Sequence, residues 1–347
     1  MSDEPEILFE KRGKAGVVTL NRPKALNAVT HNMILRLHEQ MSAWEKDAAV
    51  EVVVIKGEGR AFSAGGDIMD VYRAGKEGRR LVQFFADEYR LNAYLRRYPK
   101  PIVALIDGIV MGGGVGVSCH GSHRVMGEKA LFAMPETGIG FFPDVGGSFI
   151  LSRIKGGFGM YLGLTGGRIG PGDALKTGIA THAVRSADLA AIEDEIVAGG
   201  KPDAVLAPRA IVPEAALDEA SLLAVNLHFT LGSLPDILES LRQAADKGDA
   251  FAKSTLDTLR KRSPTSVNVA FRQITSGAMM DMDECMVMEF RILSRMLDGH
   301  DFYEGIRAAL IDKGDTPRWS PATLEEIDET AVDAYFAPLD GGDLQIR

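Results

Sequence analysis

The sequence predicts an α/β protein in which an alternating core is followed by a helical region. The first half alternates short runs of β-branched and aliphatic residues with a segment of helical periodicity, a pattern typical of strands paired with helices. The strand-like runs are residues 17–20, 52–55, 102–106 and 131–134. Between the first two lies a stripe of apolar residues spaced to line one face of a helix: Met33, Ile34, Leu37, Met41 and Trp44.

The character of the chain changes near residue 186. From there to residue 312 the sequence is rich in Ala, Leu, Glu and Asp at helical spacing, with few strand signals. We therefore predict two parts, a core over residues 1–185 and a helical region over 186–347. The prolines at 202, 208 and 213 predict a loop in the second part, and the polar last residues are expected to be mobile.

Composition excludes some classes of function. Of the 347 residues, 46% are hydrophobic, which is enough to bury a large core. The net charge of -9 argues against a nucleic-acid partner, because such a protein needs a basic surface to displace counterions. A local cluster of Lys and Arg could still hold one phosphate group of a small ligand.

Cysteine usage and the N-terminal residues predict a location. Cys119 and Cys285 lie far apart without metal-ligand spacing, which fits a reducing compartment. Residues 1–6 are acidic and lack both the apolar core of a secretory signal and the arginines of a transit peptide. No apolar run approaches the roughly 20 residues that a membrane span requires. We therefore expect a cytoplasmic protein without a membrane partner.

The first motif with chemical potential is AFSAGGD at residues 61–67, directly after a strand. Gly65 and Gly66 before Asp67 permit a tight turn with exposed backbone N–H groups, a common way to build an oxyanion donor. The alternative is an ordinary strand-to-helix turn in which Asp67 caps a helix. Taken alone, this motif favours the ordinary turn.

The second motif is MGGGVGVS at residues 111–118, which follows a strand and opens a helix. A helix N-terminus presents unpaired N–H groups that stabilise negative charge, and the glycines let a ligand approach the backbone. The spacing does not fit a dinucleotide fingerprint, and there is no Walker A lysine. Close packing of a helix against a strand explains the glycines equally well.

The third motif, MPETGIGFFPDVGG at residues 134–147, contains two carboxylates. Glu136 and Asp144 lie eight residues apart in an apolar loop constrained by Gly and Pro. Carboxyl groups in such surroundings lose hydration, which raises their pKa values and can separate the roles of acid and base. Surface carboxylates are common, however, so the spacing alone leaves catalysis and a solvated loop equally open.

Together with LNRPKALNA at residues 20–28, these motifs resemble the crotonase (enoyl-CoA hydratase/isomerase) superfamily in the order in which they occur. The resemblance implies a crotonase (ClpP-like) fold, a repeated ββα superhelix with a helical C-terminal extension, often assembled as homo-oligomers. It implies that the N–H groups of Gly66 and Gly113 form an oxyanion hole around the carbonyl of an acyl-CoA thioester. The positions expected to contact the substrate or its coenzyme A are Lys24, Ala25, Ala64, Gly65, Asp67 and Gly112.

The same resemblance narrows the reaction. Hydratases of this superfamily use two glutamates, and here the first position is Gly116 while the second is retained as Glu136. Asp144 stands where hydratases usually have glycine. This combination, with late segments such as residues 263–266 and 299–308, resembles the 3-hydroxyisobutyryl-CoA hydrolase branch. In that branch a helical glutamate lies near the substrate, and Glu88 matches it.

We therefore predict hydrolysis of a short-chain 3-hydroxyacyl-CoA thioester, 3-hydroxyisobutyryl-CoA by resemblance, as in valine catabolism. Glu136 would activate water or attack the thioester directly, and Asp144 would hold the 3-hydroxyl group or protonate the departing sulfur. Coenzyme A is part of the substrate, and no metal or other cofactor is expected. The alternatives are an enoyl-CoA hydratase or isomerase and a non-catalytic acyl-CoA-binding protein.

Overall fold

The structure, a computed structural model, describes residues 4–346. Its strands within this range are β1 (Ile7–Arg12), β2 (Ala15–Leu20), β3 (Val52–Gly57), β4 (Ala61–Ser63), β5 (Ile102–Ile106), β6 (Ile109–Met111), β7 (His123–Met126), β8 (Leu131–Ala133) and β9 (His182–Ala183). All four predicted strands are present. The predicted helix is also present, as the first of the helices given below.

The helices are α1 (His31–Lys46), α2 (Ile68–Lys76), α3 (Val82–Arg97), α4 (Gly113–Ser118), α5 (Gly147–Leu151), α6 (Phe158–Thr165), α7 (Pro171–Thr177), α8 (Leu189–Val197), α9 (Pro202–Leu206), α10 (Glu219–Phe229), α11 (Leu234–Asp246), α12 (Ala250–Leu259), α13 (Pro264–Gly277), α14 (Met282–Met296), α15 (His300–Ile306) and α16 (Glu329–Phe336). Short 3-10 turns occur at Pro23–Ala25, Glu136–Ile139, Ser186–Asp188, Ala207–Arg209 and Leu324–Glu326, and a π-helical turn at Arg307–Ile311.

The strands form two sheets. The larger has the order β1-β2-β3-β5-β7-β9, with β1 antiparallel to β2 and every other pair parallel. The smaller is parallel and has the order β4-β6-β8. In the pairs β3-β4, β5-β6 and β7-β8, the first strand belongs to the larger sheet and the second to the smaller one. This alternation is the repeated ββ unit that the resemblance implied.

Helix α1 shows how local sequence sets its own boundary. The Thr30 hydroxyl caps the helix by accepting a hydrogen bond from the Met33 N–H at 3.2 Å. The five apolar residues of the predicted stripe are all buried. The hydroxyl cap and the single buried stripe are both readable from the local sequence, which explains why periodicity predicted this helix correctly.

Contacts between residues divide the chain into two units, each taken here separately. The first consists of the described residues up to 67, with 87–133 and 168–216, and it contains both sheets. Its core packs aliphatic residues of the larger sheet, such as Val17, Val54 and Val103, against Ile192 and Ile196 of α8. The second unit comprises residues 68–86 and 134–167 and the described residues from 217 onward; it is helical.

Two expectations for the later part of the chain need correction. Of the three prolines predicted to mark a loop, Pro213 lies in one, at residues 210–218, but Pro202 begins α9, because proline is well tolerated at the first position of a helix. The polar C-terminal segment forms α16 and is anchored, since Asp343 pairs with Arg291 and Leu344 is 5% exposed. No helix in residues 4–346 is long and apolar enough to cross a membrane.

Candidate active site

The predicted coenzyme A contacts lie in the first unit, where two loops are joined by hydrogen bonds. Lys24 and Ala25 are exposed in the 3-10 turn Pro23–Ala25. The next residue, Leu26, accepts a hydrogen bond from the Ala64 N–H at 2.9 Å. Asn27, fully buried, donates its side-chain amide to the carbonyl oxygen of Ala61 at 2.8 Å. The predicted positions 24, 25 and 64 therefore occupy neighbouring segments.

The Gly65–Gly66 turn leaves one amide outside the local hydrogen-bond ladder. The Val29 N–H donates to the Gly65 carbonyl at 2.8 Å, and the Asp67 N–H donates to the Val29 carbonyl at 2.8 Å. Gly65 has a φ of +124°, a conformation that favours glycine. The Gly66 N–H, between these bonds, has no acceptor within residues 4–346.

The carboxylate of Asp67 has a structural partner. It forms an ion pair with Arg22 at 2.9 Å, and Arg22 also pairs with Glu6 at 3.2 Å. These contacts tie the Asp67 turn to the loop that follows β2. A substrate contact by Asp67 stays a prediction.

The glycine run opens α4 and places a second free amide beside the first. Gly112, with a φ of +46°, is the residue before the helix, and Gly113 is its first residue. The Gly113 N–H therefore lacks an intrahelical acceptor. A Cβ atom added at Gly113 would lie 3.0 Å from the Gly66 nitrogen. The start of α4 and the Gly65–Gly66 turn are therefore in contact, and an oxyanion hole requires two such N–H groups in one small region.

Helix α3 lies directly against this pair of amides. Glu88 is 2% exposed, and its Oε1 would lie 3.0 Å from the same added Cβ at Gly113. Four residues later, the buried Asn92 donates its side-chain amide to the Gly116 carbonyl at 3.1 Å. Positions four apart share a helix face, so α3 directs both side chains at α4. Asn92 was not among the predicted residues.

Glu136 and Asp144 belong to the second unit, and both are 5% exposed. Glu136 begins the 3-10 turn Glu136–Ile139. The turn is held at its next residue: the Thr137 hydroxyl donates to the Leu164 carbonyl at 3.1 Å, and the Ser263 N–H donates to the Thr137 carbonyl at 3.0 Å. Glu136 Oε2 is buried and has no hydrogen-bond partner among the described residues.

Burial dominates the titration of this carboxyl. Removal from water raises the pKa of Glu136 well above 4.5, the negative charge of Asp144 raises it further, and Glu289 adds a smaller contribution. A carboxylate with a raised pKa is a stronger base, and an unsolvated oxygen is available for a reacting group. The sequence analysis predicted the effect of lost hydration, whereas the effect of the Asp144 charge on Glu136 emerges from the structure.

Glu289 is a third buried carboxyl that the sequence reasoning missed. It lies on α14 with no exposed surface and accepts the Gly146 N–H at 2.9 Å and the Ser148 N–H at 3.0 Å. Burial raises the pKa of Glu289 to about 8, and Asp144 contributes to that rise. The sequence did contain a signal for its burial, because Glu289 lies four residues after Cys285 and therefore on the apolar face of the helix.

The first unit therefore offers two amide donors; the second unit, taken by itself, offers a buried carboxyl with an oxygen that has no hydrogen-bond partner among the described residues. Acyl transfer requires both kinds of group, donors for a developing oxyanion and a base or nucleophile. In residues 4–346 no group of three or more His, Cys, Asp or Glu side chains has the arrangement of a metal site.

Comparison with known proteins identifies the family. The model of the enoyl-CoA hydratase/isomerase family matches residues 15–336. The chain belongs to this family. It is 47% identical to the mitochondrial 3-hydroxyisobutyryl-CoA hydrolase of Danio rerio, over 98% of this chain and 92% of the relative. Against the Homo sapiens protein of the same name the identity is 43%, over 98% and 90%.

Solved structures support the same fold. A carnitinyl-CoA dehydratase from Mycobacterium thermoresistibile superposes with a TM-score of 0.92 at 39% identity, covering 99% of both chains. An enoyl-CoA hydratase from Rhodobacter sphaeroides gives a TM-score of 0.88 at 37% identity, covering 98% of this chain and 100% of the other. The predicted superfamily, hydrolase branch and crotonase-type α/β fold are confirmed.

One prediction is overturned by these relatives. The cytoplasmic location is wrong, because the similar hydrolases are named as mitochondrial proteins. The prediction used the cysteine count, the acidic first residues and the lack of a long apolar run. These features do not distinguish one compartment that keeps thiols reduced from another.

Proposed function

We propose that this protein hydrolyses 3-hydroxyisobutyryl-CoA to 3-hydroxyisobutyrate and coenzyme A, a reaction of valine catabolism. The observation that carries the proposal is the buried Oε2 of Glu136, which lacks a hydrogen-bond partner in the described chain and belongs to a carboxyl of raised pKa. The proposal is also supported by two relatives, 47% and 43% identical to this chain, that are named 3-hydroxyisobutyryl-CoA hydrolases.

In the proposed mechanism, the thioester carbonyl accepts hydrogen bonds from the N–H groups of Gly66 and Gly113. These donors stabilise the negative charge that develops on the carbonyl oxygen, and losing one donor typically slows such reactions about 10²–10³-fold. Lys24, Ala25 and the backbone near Ala64 contact coenzyme A. Gly65 and Gly112 contribute by holding the two donor turns in shape.

Glu136 supplies the reacting group by one of two routes. As a general base it takes a proton from water, the water oxygen bonds to the acyl carbon, and the C–S bond breaks. As a nucleophile its oxygen bonds to the acyl carbon, coenzyme A leaves, and water then cleaves the mixed anhydride. Trapping with hydroxylamine distinguishes them: hydroxylamine also attacks the thioester directly, but only the anhydride route can leave a hydroxamate on the Glu136 side chain, which mass spectrometry of the protein detects.

Asp144 binds the 3-hydroxyl group of the substrate or protonates the departing sulfur. Hydrolysis consumes only water and transfers no electrons, so the reaction balances without a redox partner. We accordingly propose that the reaction uses no separate cofactor, since coenzyme A arrives as part of the substrate.

A second candidate is addition or removal of water at a carbon–carbon double bond. It is suggested by the two solved structures described above, which are those of a dehydratase and a hydratase. Position 116 argues against it, since a buried glycine there offers no side chain for a second acid or base. Its carbonyl is occupied by Asn92.

The experiment measures release of free thiol from (S)-3-hydroxyisobutyryl-CoA and follows hydration of crotonyl-CoA in parallel. We expect thiol release by the wild-type protein, its loss in Glu136→Gln with substrate affinity retained, and wild-type rates in the exposed control Glu10→Gln. Efficient hydration without thiol release would contradict the hydrolase and favour the second candidate. Binding without either reaction would indicate a non-catalytic protein.

A further inference from the structure

The turn that carries Asp144 has an unfavourable backbone conformation. Val145, directly after Asp144, has a φ of +51°, and Gly146 has a φ of +86°. Glycine adopts positive φ at little cost, whereas a β-branched residue does so only when its surroundings impose it. Some contact from outside the turn must therefore stabilise this conformation.

Two side chains of the C-terminal helices bind the turn on either side of Asp144. On the preceding side, Gln273 of α13 donates its side-chain amide to the Pro143 carbonyl at 2.6 Å. On the following side, Glu289 of α14 accepts hydrogen bonds from two amides at the start of α5, the Gly146 N–H at 2.9 Å and the Ser148 N–H at 3.0 Å. Gln273 and Glu289 have no exposed surface.

The two oxygens of Glu289 divide these contacts between them. Oε2 accepts the Gly146 N–H, while Oε1 accepts both the Ser148 N–H and the Ser148 hydroxyl. Backbone N–H groups are obligatory donors, so both oxygens must act as acceptors. A carboxyl group meets this requirement and a carboxamide does not, because its nitrogen would place N–H groups against a backbone N–H.

A purely structural ion pair does not explain this residue. Within residues 4–346, the groups that Glu289 contacts are amides and a hydroxyl of the segment that begins two residues after Asp144, and they include no cation. Burying a carboxyl without a cation is costly unless its hydrogen bonds fix a particular geometry. The geometry fixed here is that of the Asp144 turn.

We propose that Glu289 is a positioning residue, which holds the Asp144 turn through the amides of Gly146 and Ser148 and affects the reaction only through Asp144. This inference rests on the proposed function, because it takes Asp144 as the residue that contacts the substrate. No similar role follows for the other acidic residues of α14, since Asp283 and Glu284 are not buried.

The test is a double-mutant cycle on thiol release from (S)-3-hydroxyisobutyryl-CoA with Glu289→Gln, Asp144→Asn and the double variant. We expect Glu289→Gln to lower kcat about 10–100-fold, since small misplacements of a reacting group have effects of that size. In the Asp144→Asn background the same change should lower kcat less than about 3-fold, because a residue acting through Asp144 has nothing left to position.

The matched control is Glu284→Gln, an exposed position on the same helix where glutamine preserves the capping box with Asp281. It should retain wild-type kcat. If Glu289→Gln does not fold, Ser148→Ala replaces it in the cycle, because it removes one donor and keeps both amide contacts. A smaller loss that again disappears in the Asp144→Asn background supports the proposal.

The possible failures are distinguishable. If the wild-type protein releases no thiol, or Asp144→Asn is as fast as wild type, the proposed function or its use of Asp144 fails and the inference fails with it. If both single variants are slow and their losses multiply in the double variant, the hydrolase stands and the positioning role is overturned. A Glu289→Gln variant with wild-type kcat overturns it as well.

Discussion

Glu88 and Gly113 are so close that a single methyl group on Gly113 would lie 3.0 Å from the Glu88 carboxyl oxygen. The same methyl group would lie 3.0 Å from the backbone nitrogen of Gly66. A side chain at position 113 would therefore press on its neighbours, a buried carboxyl on one side and a main-chain amide on the other. The helix α3 thereby forms one wall of the proposed oxyanion hole.

Gly113→Ala should retain the fold and lose activity. The added methyl group is tighter against Gly66 than ordinary contacts allow, so the two amides must move apart. We expect kcat for thiol release to fall about 10²–10³-fold, the usual effect of losing an oxyanion donor. Gly232→Ala is the control, because a Cβ there meets nothing within 4 Å. Wild-type kcat in Gly113→Ala would exclude this amide from the reaction.

Asn92→Leu should lower both stability and activity. It removes the donor to the Gly116 carbonyl, and a buried carbonyl without its partner costs about 1–3 kcal/mol. Urea unfolding should show that loss, and thiol release should slow because α4 carries Gly113. Asn32→Leu, at an exposed position, should change neither property. Unchanged unfolding of Asn92→Leu would show that the contact to Gly116 contributes nothing.

The activity should depend on pH through Glu136. Because the base or nucleophile must be ionised, kcat/KM should rise with pH as Glu136 loses its proton, at a pKa above 4.5. The charge of Asp144 contributes to that raised pKa, so the residual activity of Asp144→Asn should show its acid limb at lower pH. A pH–rate profile of both proteins measures this, and an unshifted limb would disprove the coupling.

Stability should fall with increasing pH because of Glu289. Its pKa of about 8 in the folded protein exceeds the ordinary 4.5, so the folded state binds this proton more tightly. The resulting stabilisation is complete below pH 4.5 and is lost as pH rises through about 8. Relative to wild type, Glu289→Gln should show a weaker decline in the free energy of unfolding over this range. Urea unfolding at both ends of the range measures it, and parallel declines would contradict it.

Lys24→Ala should weaken substrate binding without affecting the chemical step. The side chain is exposed beside the segment containing Ala64, so it is available to a phosphate group of coenzyme A. An exposed charge pair contributes up to about 1 kcal/mol, which corresponds to a rise in KM of up to about 5-fold. The kcat value should stay constant, and salt should reduce the difference. Lys253→Ala, also exposed, is the control; equal KM values would remove Lys24 from the site.

Local sequence was a good guide to the motifs of the candidate site. Glycines at 65, 66, 112 and 113 predict turns and a free helix start from their own backbone freedom, and the structure shows both. The apolar loop around Glu136 and Asp144 predicts burial of both carboxyls, which is also observed. These features arise within a few residues of chain, so one sequence suffices to find them.

Residues that act across long separations were not predictable in this way. Glu289 binds Ser148 across 141 positions, and Asn92 binds Gly116 across 24. On a single sequence, each is only a polar residue within a helical pattern, where a solvated position is the commoner expectation. The prediction of a loop at Pro202 failed for a related reason, because proline fits the start of a helix as well as a turn.

The sequence alone determined the α/β class and the motifs that carry reactive groups, because both are encoded in local patterns of glycine, apolar and acidic residues. The family and the hydrolase branch followed from the resemblance of those motifs to known proteins. Only the tertiary structure decided which groups are buried, which amides lack acceptors and which distant side chains hold the turns. Burial and hydrogen-bond satisfaction depend on what packs against a residue. That is set by the whole fold, as the contact between Glu289 and the Asp144 turn illustrates.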